Sequence, residues 1–144
     1  MISGLIKVQL DDGAYMPKRA YTSDGGLDMF AKADQPNTPI YPHSSAVFDT
    51  GVHMEIPDGY TGLLLSKSGL DINHDLTCTS VIDSGYSGSI RVKLYNLGED
   101  TWYIYSGDKI GQLIIVPVLQ FVPIRVDKIT GGERGERGFG SSGR

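Results

Sequence analysis

A single cysteine, Cys78, stands among 144 residues, so no disulfide can close within the chain. With no secretory leader at its start either, the expected compartment is the reducing cytoplasm. Long apolar runs are missing too: none approaches the length needed to cross a bilayer. Basic charge is in short supply. Thirteen Lys and Arg stand against seventeen Asp and Glu, a net charge of −4, which argues against a nucleic-acid or membrane-surface partner, since either needs a basic face. No window of useful length carries a helical apolar period, and no segment repeats. His43, His53 and His74 lie apart from one another and from any cysteine or carboxylate pair at ligand spacing, so each reads as a surface or packing histidine.

Glycine is abundant, with nineteen residues, and seven prolines add to the turn signals, which points to short strands joined by tight turns. Residues 5–10 alternate Ile6, Val8 and Leu10 with Lys7 and Gln9, the mark of a strand. Leu27 to Ala31 is a second extended run. Residues 33–45 hold Pro36, Pro39 and Pro42 and read as loop or edge strand. Val47 to Ile56 reads as one strand, Tyr60 to Leu65 as a buried one, and Ser66 to Leu70 as the opening of a single short helix. Further strands are expected at 101–105, 109–116 and 120–126. The chain is therefore all-β, with nine or ten short strands in a sandwich or jelly roll.

One stretch, Ser80-Val81-Ile82-Asp83-Ser84-Gly85-Tyr86, stands out. Its apolar run stops at Asp83, Ser84-Gly85 is turn chemistry, and Ile90, Val92 and Leu94 then alternate with Arg91, Lys93 and Tyr95. This predicts a β-hairpin with a carboxylate and a phenol ring at its tip. The last fourteen residues, with six glycines and three arginines, have no period and read as a flexible tail. Within the tail, 138–143 spells G-x-G-x-x-G, but a dinucleotide site needs a strand before it and a helix after it. Ser66-Lys67-Ser68 likewise lacks the glycine of a phosphate-binding P-loop. Glycine-bared N–H groups, hydroxyls and fixed cations nonetheless recur in four clusters: around Asp28, at 66–70, at 107–112 and in the tail. Such groups bind phosphate oxygens. Together with the Asp-x-x-Tyr tip they suggest a nucleotide site.

Five of these segments, in order, resemble the motifs of the trimeric dUTP pyrophosphatases. Gly25-Gly26-Leu27-Asp28-Met29 is similar to the family's Ala-Gly-x-Asp-Leu, and Ser66-Lys67-Ser68-Gly69-Leu70 to Pro-Arg-Ser-Gly-Leu. The Asp83 stretch is similar to Gly-Val-Ile-Asp-x-Asp-Tyr-x-Gly, and 107–113 to Gly-Asp-Arg-Ile-Ala-Gln-Leu. Residues 134–143 are similar to the family's Arg-Gly-x-Gly-Gly-Phe-Gly-Ser-Thr-Gly.

The resemblance implies a jelly-roll-like β-sandwich subunit, residues 1–130, with a tail, residues 131–144, that closes over an active site of a homotrimer. It implies hydrolysis of dUTP to dUMP and pyrophosphate. By the same match Asp83 is the general base, and Tyr86, Thr77, Ser80, Val81, Ile82 and Phe139 hold the sugar and base. Lys67, Ser68, Gly69, Gln112, Arg134, Gly140, Ser141 and Ser142 hold the phosphates. Mg²⁺ rides on the triphosphate and its waters with no direct protein ligand, Asp28 being the candidate to reach it through water. The chain departs from the pattern at Lys67, where the family has arginine, at Ser80 and Arg137, where it has glycine, and at Gly85, where it has aspartate. The segment from Leu70 to Asp83 is also short. Two alternatives stand beside this reading. One is a dCTP deaminase of the same fold, which carries a glutamate where Lys93 stands here. The other is a non-catalytic β trimer that binds a protein partner.

Overall fold

Alternation of apolar and polar residues does most of the folding work in this chain, and strand β9 (Arg91–Asn96) shows how. Val92 and Leu94, with Ile90 just before them, are buried, while Arg91, Lys93 and Tyr95 face outward. Each inward side chain contributes about 2 kcal/mol of burial. The computed structural model describes residues 4–143. Ahead of β9 come β1 (Lys7–Leu10), β2 (Leu27–Phe30), β3 (Thr38–Ile40), β4 (Ser45–Asp49), β5 (Val52–Glu55), β6 (Tyr60–Leu65), helix α1 (Ser68–His74), β7 (Leu76–Thr77) and β8 (Thr79–Asp83). After it come β10 (Trp102–Ile104) and β11 (Lys109–Pro117). The architecture is the all-β sandwich of jelly-roll kind that the patterning predicts.

All strand pairs are antiparallel. The largest sheet runs β2-β11-β6-β8 and a second runs β4-β9-β7, with two-stranded pairs β1-β5 and β3-β10 beside them. Phe48, Met29, Ile40, Leu64, Leu76, Ile104, Ile110 and Leu113 join the inward residues of β9 in one core. Among the described residues no helix is long and apolar enough to cross a membrane.

Three sequence expectations change. Residues 47–56 are two strands, not one: the chain turns at Thr50-Gly51, where Gly51 has φ +66° and a Cβ would meet that of Ala14 at 2.9 Å. The buried Thr50 hydroxyl fixes the turn by donating to the Ile90 carbonyl. Residues 120–126 form no strand. Leu119, Phe121, Val122 and Ile124 stand about four-fifths exposed on an arm that leaves the body after Val118, whose N–H still donates to the Gly59 carbonyl.

The expected hairpin also proves to be something else. β7 pairs with β9 only at Leu76↔Asn96 and Thr77↔Tyr95. Beyond Cys78 the chain changes sheets, and β8 pairs with β6 instead. Strands β8 and β9 therefore diverge, with a cleft between them. The alternation at 90–95 is present, but it faces the core and does not encode pairing with β8.

Candidate active site

The cleft follows from that divergence. β8 is the edge of its sheet, so along its free side backbone N–H and C=O groups are not committed to a ladder. Ser80, Val81, Ile82 and Asp83 line the cleft from β8, with Tyr86 beyond them and Ser89 and Arg91 opposite. It encloses about 250 Å³. Asp83 is exposed at the end of β8, where the chain turns through Gly85 at φ +82°. Tyr86 closes that turn: its N–H donates to the Asp83 carbonyl at 3.2 Å, and its hydroxyl donates to the Ser89 carbonyl at 3.0 Å. The ring lies directly on Gly88, where a Cβ would come within 2.6 Å of the ring's Cζ.

Asp49 fastens the far end of this loop by accepting from the Ser89 hydroxyl and from the Gly51 N–H. Burial alone would raise the Asp49 pKa, but the Ser89 hydroxyl and Gly51 N–H, together with the charges of Lys32 and Arg91, outweigh it and hold the carboxyl below its ordinary value.

A second polar cluster gathers where β2, β11 and the end of β6 meet. Asp28, only 4% exposed, lies between two ammonium groups: Lys67 on one oxygen, and Lys109 on the other at 2.9 Å. Burial pushes the Asp28 pKa upward, but the two lysines together bring it below the ordinary carboxylate value. One buried charge against two cations leaves the cluster net positive, which suits an anion. Gln112 crosses from β11 to donate to the Ser66 carbonyl at 2.9 Å, and the closeness of Gly26 to its amide leaves no room for a Cβ there. Ser68 and Gly69 sit exposed in the first turn of α1. The Ser66 hydroxyl ties this corner to β7 through Thr77 at 2.8 Å and the Cys78 backbone. Cys78 itself is buried. Burial and then the nearby Asp71 push its thiol up to about 11, so it stays protonated and inert.

The residues matched from sequence thus fall into three groups. Ser80, Val81, Ile82, Asp83 and Tyr86 line the cleft. Lys67, Ser68, Gly69 and Gln112 collect around Asp28, and Thr77 faces this side through Ser66. Arg134, Phe139, Gly140, Ser141 and Ser142 are exposed on the tail, whose hydrogen bonds are turns within itself.

The first two groups do not converge within one chain. The ladder of β6 with β8 runs from Leu65↔Thr79 to Thr61↔Asp83, so Asp83 and the Lys67 end are four residue steps apart, about 13 Å. Sequence reasoning missed Arg91 and Ser89 as cleft residues because their pattern reads only as strand alternation. It also missed Lys109 as the second partner of Asp28, although Lys109 sits within a cluster the sequence had singled out.

A family model described as dUTPase matches residues 12–143. The deoxyuridine 5'-triphosphate nucleotidohydrolase of Tropheryma whipplei (strain Twist) is 39% identical over 136 residues, 92% of this chain and 91% of that one. A mutant dUTPase of Staphylococcus bacteriophage 80alpha, solved with dUpNHpp, superposes with a TM-score of 0.89 at 31% identity, covering 99% of this chain and 100% of its own. A mutant dUTPase from phage phi11 of S. aureus, described as revealing the coordination of a structural Mg(II) ion, has a TM-score of 0.79 at 29% identity, covering 87% of this chain and 98% of its own.

Proposed function

The chain belongs to the dUTPase family, and we propose that its β8–β9 cleft takes the deoxyuridine of dUTP while the Asp28 cluster of another subunit takes the phosphates. The enzyme hydrolyses dUTP to dUMP and pyrophosphate. The observation that carries the site assignment is the opening between β8 and β9, an unpaired strand edge that ends on Asp83. Backbone groups on the outer edge of β8 that are not bonded to β6 can pair with the edge of uracil as a partner base would. The Tyr86 ring, held by the Ser89 carbonyl, packs beneath the deoxyribose and leaves no space for a 2′-hydroxyl.

Asp83 orients a water in line with the α-phosphorus and takes its proton as the new P–O bond forms and the bond to the leaving pyrophosphate breaks. The leaving charge falls on Lys67, Ser68, Gly69 and Gln112. Magnesium bound with the substrate would add to the positive charge that Lys67 offers the phosphates. Among the described residues no group of three or more His, Cys, Asp and Glu could hold a metal, and both Asp28 oxygens face ammonium groups, so Asp28 would reach the ion only through water.

The separation of the two clusters supports a site shared between subunits of a homotrimer. A base that acts at the α-phosphorus and cations that hold the phosphates must meet on one substrate, and backbones about 13 Å apart along one ladder favour drawing them from different chains. The exposed apolar arm after Val118 is a natural docking segment for a second copy. Residues 1–130 are then the catalytic domain, and the tail 131–144 covers the site, Phe139 over the base and Arg134, Gly140, Ser141 and Ser142 at the terminal phosphate. We place the enzyme in the cytoplasm, in keeping with its one buried thiol.

Pyrophosphate release measured on dUTP, dTTP, dCTP and UTP tests the substrate. Turnover of dUTP at least a hundredfold faster than of the other three is expected. Ammonia release from dCTP would overturn the reading in favour of a deaminase. Lys93 argues against that outcome, since it offers no carboxylate to activate a water and its ammonium lies 5.0 Å from the centre of the Tyr95 ring.

A further inference from the structure

His53 lies in the middle of β5, opposite Gln9 of β1, and its side chain is 23% exposed. Both ring nitrogens meet acceptors. Nδ1 is 2.7 Å from the Ser87 carbonyl and Nε2 is 3.1 Å from the Asp11 carboxylate. Neither partner can donate, so only a ring protonated on both nitrogens satisfies the two contacts at once. Ser87 directly follows Tyr86. The loop that carries the phenol ring is therefore anchored on one side by Asp49 through Ser89 and on the other by His53 through Ser87. Behind it lies a cavity of about 380 Å³, lined in part by Lys7, Gln9, His53, Glu55 and Tyr86, which gives the loop room to move.

We propose that His53 is a positioning residue for the sugar side of the cleft: as an imidazolium it clasps the Tyr86 loop to Asp11, and on losing a proton it lets the loop go. The proposal rests on Tyr86 as the sugar gate. When the ring is neutral its one proton stays with the stronger, charged acceptor, Asp11, and the bare Nδ1 then faces the Ser87 oxygen lone pair against lone pair. The Ser87 contact is the one that opens.

The charged groups around the ring agree on direction. Asp11 comes from the turn after β1 and Asp49 from the end of β4, while Lys7 and Glu55 pair with each other at 3.1 Å. The Ser87 carbonyl first, and then the Asp11 carboxylate, raise the His53 pKa above its ordinary value. A raised folded-state pKa means that the clasp is whole below about 6.5, the value in an unfolded chain, and is lost as pH rises through the folded value.

The test is the ratio of kcat/KM for dUTP to that for UTP across pH 6 to 9. Both substrates carry the same triphosphate and base, so their own ionisations cancel in the ratio. In the wild type the ratio should fall by about threefold or more through a single titration. In His53→Gln, whose amide donates at every pH, it should be flat. In Asp11→Asn the fall should shift to lower pH. NMR of the intact protein reads the clasp directly: the His53 ring signal, identified by its absence from His53→Gln, and the Tyr86 and Ser87 amides should titrate with one midpoint above 6.5. Tyr86→Ala, measured alongside, separates the two ideas. An unchanged ratio in that variant sinks the gate, while amides that follow His53 still support the clasp. Amides that stay flat, or a ratio step that persists in His53→Gln, overturns the proposal.

Discussion

The role proposed for Asp83 rests on where a strand ends. Val81 and Ile82 carry β8 along the sheet, Ile82 turned inward, and the next residue emerges exposed as the chain bends through Gly85. A carboxylate there can meet a water without displacing any packed group. Asp83→Asn keeps the shape and removes the proton acceptor, so kcat should fall at least about a hundredfold while KM for dUTP stays within about threefold. Steady-state kinetics decides it, and a kcat within threefold of wild type would remove Asp83 from the mechanism. Asp28 works differently. It is buried between Lys67 and Lys109. It fixes where two cations point, and the lysine that replaces the family's arginine at position 67 gives up the two-pronged grip of a guanidinium for a point charge.

The element that matters most at the next scale is the loop between β8 and β9. It spans two sheets, and side chains from β4 and β5 hold it at Ser89 and Ser87. Its geometry depends on one missing methyl group. At Gly88 a Cβ would meet Cζ of Tyr86 at 2.6 Å and Cε2 at 2.9 Å, so Gly88→Ala must push the ring away. The loop is at the surface and the core does not reach it, so the melting temperature should stay within about 5 °C of wild type. The preference for dUTP over UTP should nonetheless drop toward that of Tyr86→Ala. An unchanged preference would show that the ring position is not what excludes the 2′-hydroxyl.

On the scale of the whole molecule the design is one of division. Asp83 ends the β6–β8 ladder and Lys67 lies beyond its other end, and on the proposed reading a complete site draws on two chains. Co-assembly tests this without further structure. Asp83→Asn and Lys67→Met, each first shown to be inactive alone, are mixed in equal amounts and allowed to exchange. If base and cation come from different chains, a site works when one neighbour has Asp83 and the other has Lys67, so about a quarter of the sites in a closed ring should be active. If both came from one chain, no mixed site would have both, and activity would stay at background although mass spectrometry showed mixed trimers.

The one-dimensional pattern was enough for the class of fold and for most strands. Ile90, Val92 and Leu94 alternate because each strand shows one face to a core, and that period is written in the residues themselves. Asp83, Tyr86, Lys67 and Gln112 were legible as candidates because their local neighbours form motifs. Pairing was not legible. Nothing within 77–95 says that β8 leaves β9 for β6, because a strand's partner is chosen by non-local contacts, and the same alternation serves either choice. The cleft, the double clasp on Tyr86 and the distance between Asp83 and Lys67 all follow from that choice. The arm at 120–126 fails as a strand for a related reason: its apolar residues have the composition of one, but along a single chain no neighbour lies beside them to complete a ladder. Composition and period determine which faces must be buried, whereas only the folded chain decides against what.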